Sequence, residues 1–207
     1  MTQESTLSYY QANTEDYIEQ TKSINMTPFY DWFIESLPFH LGPQRILDVG
    51  CGSGRDSFYF ASKLAMKVTA IDANPLFIEH AKHHYGADIV DWMTLSFEDI
   101  DNQPWQQQFT AIWASASLLH VPFAQLPKLL DSLLSTLKSD GILYASFKHG
   151  DSERIDEHGR FFCDINEERL AQLISSLTHM PEEYEIWNTK DLRQQQQQPW
   201  LNVILRT

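Results

Sequence analysis

Cysteine is scarce in this chain: Cys51 and Cys163 are the two among 207 residues. They form no close-spaced metal motif, and Cys51 sits inside a glycine-rich turn with another use, so neither a zinc site nor a structural disulfide is expected. His80, His83 and His84 recur at helical spacing but lack a fourth ligand. They read as a solvated face, and no metal is expected. Positive charge is also short. Fifteen Lys and Arg face 28 Asp and Glu, for a net charge of −13. No basic run offers phosphates a footprint, which disfavours DNA, large RNA and anionic membranes as partners. No apolar run reaches the length of a membrane span. Residues 1–10 lack the basic-then-apolar order of a secretory signal, so a cytoplasmic location is expected.

What is present fits an ordinary globular protein. The hydrophobic fraction is 43% and the aromatic fraction 13%. A chain of this length buries about 70% of its unfolded surface and needs no staple. The reading is one domain at 41–207 preceded by a helical lid at 1–40. Residues 13–24 read as a short helix, and Thr27-Pro28 as N-cap and first turn of the next. Short apolar runs at 45–49, 67–71, 89–94, 109–114 and 142–147 read as strands. They alternate with helices at 55–65, 74–84, 127–137 and 166–177. Such alternation implies right-handed crossovers and a mostly parallel, doubly wound sheet covered on both faces. Runs near 184–187 and 200–205 have no long helix between them and are expected to pair as an antiparallel edge hairpin. The glutamine run 194–198 reads as a solvated loop within it.

The central feature is Asp48-Val49-Gly50-Cys51-Gly52-Ser53-Gly54-Arg55, where a strand enters three alternate glycines and then a helix. Glycine permits the sharp turn and the close approach of a ligand. Asp72 ends the next strand, 22 positions after Gly50. In a βαβ unit this puts a carboxylate beside the turn, where it can accept both hydroxyls of a ribose. The dinucleotide fingerprint needs its third glycine one position later, where Arg55 stands. Asp48 would also repel a pyrophosphate and attract an ammonium. The pattern favours S-adenosylmethionine over NAD.

Residues 47–54 match the first motif of the class I S-adenosylmethionine-dependent methyltransferases almost letter for letter. Val68-Thr69-Ala70-Ile71-Asp72 resembles the second motif, and residues 137–143 resemble the segment leading into strand five. Tyr9-Tyr10, residues 114–122, Ser146-Phe147-Lys148 and Gly159-Arg160 look like a subgroup of small stand-alone bacterial methyltransferases, with tellurite-resistance-type enzymes as distant relatives. The resemblance implies a Rossmann-like α/β fold: a seven-stranded sheet, mostly parallel, with the last strand antiparallel, plus an N-terminal helical layer. It places Asp48, Gly50, Cys51 and Gly52 around the methionine end of the cofactor. It puts Asp72 on the ribose, Ala73 and Phe97 against adenine, Glu98 or Asp99 at the adenine amino group, and Ala114 and Ser115 beside the reacting centre.

The acceptor site is expected outside the carboxyl ends of the strands. There the segments after strands four and five meet the N-terminal layer carrying Tyr9, Tyr10, Tyr17 and Thr21. Tyr10 is expected to close over the cofactor. His120 is the candidate base, weighed against a hydrogen-bonded structural histidine. Arg160 is the candidate clamp for a substrate carboxylate, weighed against an ion pair with Asp151, Glu153 or Asp156. A small-molecule acceptor is the leading expectation. Methylation of a protein or tRNA, and S-adenosylmethionine binding without catalysis, stay open.

Overall fold

The structure, a computed structural model, describes residues 2–191 and 198–207. The helices are α1 (Thr2–Ala12), α2 (Thr14–Thr21), α3 (Thr27–Ser36), α4 (Arg55–Leu64), α5 (Pro75–Tyr85), α6 (Leu126–Thr136) and α7 (Glu167–Ser175). The strands are β1 (Arg45–Val49), β2 (Lys67–Asp72), β3 (Asp91–Thr94), β4 (Phe109–Ala114), β5 (Leu137–Lys148), β6 (Glu153–Ile155), β7 (Phe161–Cys163), β8 (Glu183–Thr189) and β9 (Trp200–Arg206). Seven of them form one sheet in the order β3-β2-β1-β4-β5-β9-β8. β1 to β5 pair in parallel, and β9 runs antiparallel to both neighbours. This is the mostly parallel, doubly wound sheet that the alternating pattern predicts, with the antiparallel last strand that the resemblance implies.

Side chains of successive strand residues point to opposite faces, and the core divides accordingly. Ile46, Ala70, Trp113, Tyr144 and Ile204 pack with residues of α3, α4 and α5 on one face. Leu47, Ile71, Ile112, Leu143 and Leu205 pack with α6 and α7 on the other. α6 buries Leu126, Leu129, Leu130, Leu133 and Leu134, spaced at three and four residues along one stripe.

Four local expectations need correction. Thr27 lies inside α3, whose N-cap is Met26; the Thr27 N–H instead donates to Asn25 Oδ1 at 3.1 Å. The first ten residues, placed in the helical lid but given no helix of their own, include most of helix α1. Strand five, read at 142–147, is β5 at Leu137–Lys148, because Leu137 already pairs with Phe109 before the strand bulges and resumes at Ile142. The hairpin of β6 and β7 was not foreseen; three residues per strand carry too little alternation to stand out. By contrast, Asn74 caps α5 as predicted, accepting from Leu76 N–H at 3.1 Å. Apart from Gln198, the glutamine run lies outside the described residues. Among the described residues, Cys51 and Cys163 are free thiols, and no helix is long and apolar enough to cross a membrane.

α1 and α2 lie across the strand ends, held by hydrogen bonds that include the following. Phe161 N–H donates to Thr6 Oγ1 at 2.9 Å, Asn74 Nδ2 to Thr14 Oγ1 at 3.0 Å, and Arg55 Nη1 to the Thr21 carbonyl at 2.8 Å.

Candidate active site

The turn after β1 depends on its glycines. Gly50, Gly52 and Gly54 have φ of 76°, 53° and 81°, in the left-handed region that glycine adopts without penalty. At Gly50 there is also no room, since a Cβ would stand 2.5 Å from Ser117 Cβ. The N–H groups of Gly50 and Cys51 both donate to the Ile71 carbonyl at 2.9 Å, locking the turn to the end of β2.

That lock sets the position of Asp72. Gly52 N–H donates to Asp72 Oδ2 at 2.9 Å and Asn74 N–H to Oδ1 at 2.8 Å. Each carboxylate oxygen is thus oriented by one backbone donor and keeps capacity for another. Burial raises the Asp72 carboxyl to about 6, against these two stabilising bonds.

Asp48, ending the buried run of β1, is 2% exposed. Its Oδ2 accepts from Ser57 at 2.5 Å. Burial, reinforced by the nearby Asp56 carboxylate, raises its proton affinity well above the usual range. A cation brought into the cavity would offset both effects. Asp56 holds a network of its own: it accepts from Tyr30 at 2.6 Å, Arg55 Nε at 2.7 Å and Trp113 Nε1 at 3.0 Å. These bonds join α3, α4 and β4.

Two cavities meet at the turn. One of about 350 Å³ is lined by Asp72, Ala73, Phe97 and Glu98, together with Ser117. One of about 620 Å³ is lined by Asp48, Cys51, Thr21 and Ser115 and continues to Lys148, Arg160 and Trp200. Tyr10, Tyr17, Gly50, Gly52, Ala116 and His120 line both. Ala116 sits at φ 52°, strained for a residue with a Cβ, while its N–H donates to Ser146 Oγ at 2.8 Å. Ala114 lies in neither lining; it is fully buried in the core on the α6 side.

His120 is engaged at both ring nitrogens, by the Phe161 carbonyl at 2.7 Å and by Tyr10 Oη at 3.0 Å. Burial holds its pKa down at about 4. Arg160 pairs with Asp156 through Nε at 2.8 Å and Nη2 at 2.7 Å, so its fork is occupied by the protein's own carboxylate. Its guanidinium also lies over the Tyr9 ring, 4.9 Å from the centroid. Sequence reasoning did not assign roles to Ala116 or Ser117, nor foresee that Lys148, 4% exposed, forms an ion pair with Asp191 at 2.6 Å. Small residues after a strand give little signal by themselves.

The donor set fits an adenosyl sulfonium compound. It offers a twice-oriented carboxylate for vicinal hydroxyls, an aromatic ring beside it, and a buried carboxylate across the turn for an ammonium. Residues 46–141 match the family described as "Methyltransferase domain". Those residues are a class I methyltransferase domain. The chain is 33% identical over 88 residues to 27-O-demethylrifamycin SV methyltransferase of Amycolatopsis mediterranei (42% of this chain, 32% of that protein). It is 32% identical over 111 residues to malonyl-[acyl-carrier protein] O-methyltransferase of Acetivibrio thermocellus (50% of this chain, 36% of that protein). The matches thus span about a third of these relatives. In fold, the chain superposes on 1,6-didemethyltoxoflavin-N1-methyltransferase of Burkholderia thailandensis, solved with 1,6-didemethyltoxoflavin and S-adenosylhomocysteine. The TM-score is 0.75 at 20% identity, covering 98% of this chain and 87% of that one. The methyltransferase domain therefore includes the glycine turn and Asp72, and the likeness in fold extends to α1, α2 and the strands after residue 141.

Proposed function

We propose that this protein binds S-adenosylmethionine and transfers its methyl group to a small-molecule acceptor. The observation that carries the reading is the pair of confluent cavities on either side of the turn at 50–54. One is suited to a nucleoside and the other is large enough for a methionine tail and an acceptor. The named substrates of the rifamycin and toxoflavin relatives support a small acceptor.

When bound, S-adenosylmethionine supplies a methyl group on a sulfonium. Asp72 would accept the ribose hydroxyls, Phe97 and Ala73 would pack against the base, and Glu98 would take its amino group. Asp48 draws the ammonium to the methionine side of the turn. Thr21 closes that side through its carbonyl, which fixes Arg55. Ser115, Ala116 and Tyr10 hold the acceptor in line, which is the main contribution such a reaction needs from a protein. His120 stays unprotonated at neutral pH and faces the junction through Tyr10.

Calorimetry with S-adenosylhomocysteine and with NAD tests the cofactor. Micromolar binding of the former and none of the latter is expected, and the reverse result rejects the proposal. Turnover of S-adenosylmethionine with a panel of small acceptors then separates an enzyme from a non-catalytic binder.

A further inference from the structure

The two partners of His120 determine which of its nitrogens carries the proton. The Phe161 carbonyl oxygen can only accept, so the Nδ1 that stands 2.7 Å from it bears the hydrogen. Nε2 is then the lone-pair nitrogen of a neutral ring. Tyr10, 3.0 Å away, donates its only proton there. Burial keeps the ring neutral well below pH 7, so the arrangement persists under ordinary conditions. The Arg160 guanidinium lies 6.0 Å from the centroid of the Tyr10 ring while its Nε and Nη2 hold Asp156. Tyr10 has no proton left to give. Any further partner of its oxygen must donate to it.

Tyr10 and His120 both stand at the junction of the two cavities. Given the methyl-transfer reading above, we propose that Tyr10 Oη is the specificity-determining group of the acceptor site. It takes a hydrogen bond from the attacking O–H or N–H and thereby selects acceptors whose nucleophilic atom carries a proton. Thioethers, tertiary amines and pyridine-type nitrogens offer Tyr10 no hydrogen and are refused. The X–H electron pair becomes the new bond to the methyl carbon as the methyl–sulfur bond breaks, its electron pair staying on sulfur to leave neutral S-adenosylhomocysteine. The X–H proton moves to Tyr10 Oη as the Tyr10 proton moves to His120 Nε2. The imidazolium, with its low proton affinity, then returns that proton to water. Phe161, 41 positions from His120 and presented by the β6–β7 hairpin, is thus what sets the direction of the relay.

Two measurements on the full chain test this. In ¹⁵N-histidine spectra at pH 7, with His120 assigned by its loss in His120→Asn, Nδ1 is expected protonated and Nε2 not. An Nε2–H tautomer, or an imidazolium, overturns the proposal. Second, trideuteromethyl S-adenosylmethionine is offered with a proton-bearing pool (phenol, catechol, benzimidazole, acetohydroxamate) and a proton-free pool (dimethyl sulfide, trimethylamine, pyridine). Labelled products are expected from the first pool alone. In Tyr10→Phe they should fall about a hundredfold, the scale of acid–base assistance, with rates newly following each acceptor's own ionisation. The ring remains in place, so S-adenosylhomocysteine affinity should change by less than about threefold, since only an acceptor-side contact is lost. Products from the proton-free pool, an undiminished Tyr10→Phe, or no product from either pool by a wild-type protein that binds S-adenosylhomocysteine, each overturn the proposal. Failure of the wild type to bind S-adenosylhomocysteine would instead overturn the methyl-transfer reading.

Discussion

The proposed cofactor binding turns on one side chain, Asp72. Its two backbone donors hold it in place, while burial holds its carboxyl at about 6. Ribose hydroxyls donate to the ionised form, so binding should lower that value. The sign follows: affinity for S-adenosylhomocysteine is full above about pH 7 and falls as pH drops through 6, approaching tenfold per unit. Asp72→Asn should flatten this dependence, and Asp72→Ala should weaken binding by about tenfold or more, because charge-assisted bonds are lost. Calorimetry between pH 5 and 8 reads both; a pH-independent wild type would remove Asp72 from the ribose.

At the scale of elements, the β1–α4 connection takes left-handed backbone at its glycines and is packed without slack. A Cβ at Gly54 would stand 2.7 Å from the Trp92 ring and 2.8 Å from Ala81 Cβ, at φ 81°. Gly54→Ala should cost about 2–4 kcal/mol, combining backbone strain with overpacking. Gly159, at φ 80° with nothing within 4 Å of its Cβ position, is the control. Its change to Ala should cost only about 1–2 kcal/mol from conformation alone. Urea unfolding compares the two, and equal losses would show that packing is not the cause. The end of β5 offers a second test. Lys148 and Asp191 are 4% and 2% exposed, and the Lys148 ammonium also lies 4.2 Å from the Trp200 ring centroid. Lys148→Met leaves a buried carboxylate without its partner and should cost about 3–5 kcal/mol. Lys148→Met with Asp191→Leu should recover most of that loss.

For the molecule as a whole, net charge is a poor guide to the site. The chain carries −13, yet among the described residues five Lys or Arg and five Asp or Glu line the larger cavity, whose formal charges therefore balance. α1 and α2 join the two halves of the strand-end surface, from Phe161 to Arg55. Tyr10 and Tyr17 from these helices line both cavities. S-adenosylhomocysteine should consequently slow amide hydrogen exchange across residues 4–21 at least as much as in the glycine turn. Unchanged exchange in α1 and α2 would show that the ligand does not lie beneath them.

The sequence by itself determined the parts that depend on near neighbours in the chain. β1, its glycine turn and α4 are written in one continuous run, and Asp72 follows 22 positions after Gly50, a spacing that suits the end of the next strand in a βαβ unit. The parallel sheet follows from alternation of apolar runs with helices, because chirality leaves few ways to wind them. Only the tertiary structure decided the chemistry at the junction. Tyr10 meets His120 across 110 positions, and the carbonyl that orients His120 comes from a hairpin too short to announce itself. Arg160 could be read as a free clamp until Asp156, four residues earlier, was seen to fill its fork. α1 has little amphipathic pattern of its own and is held by side-chain bonds to distant loops, so local propensity could not reveal it.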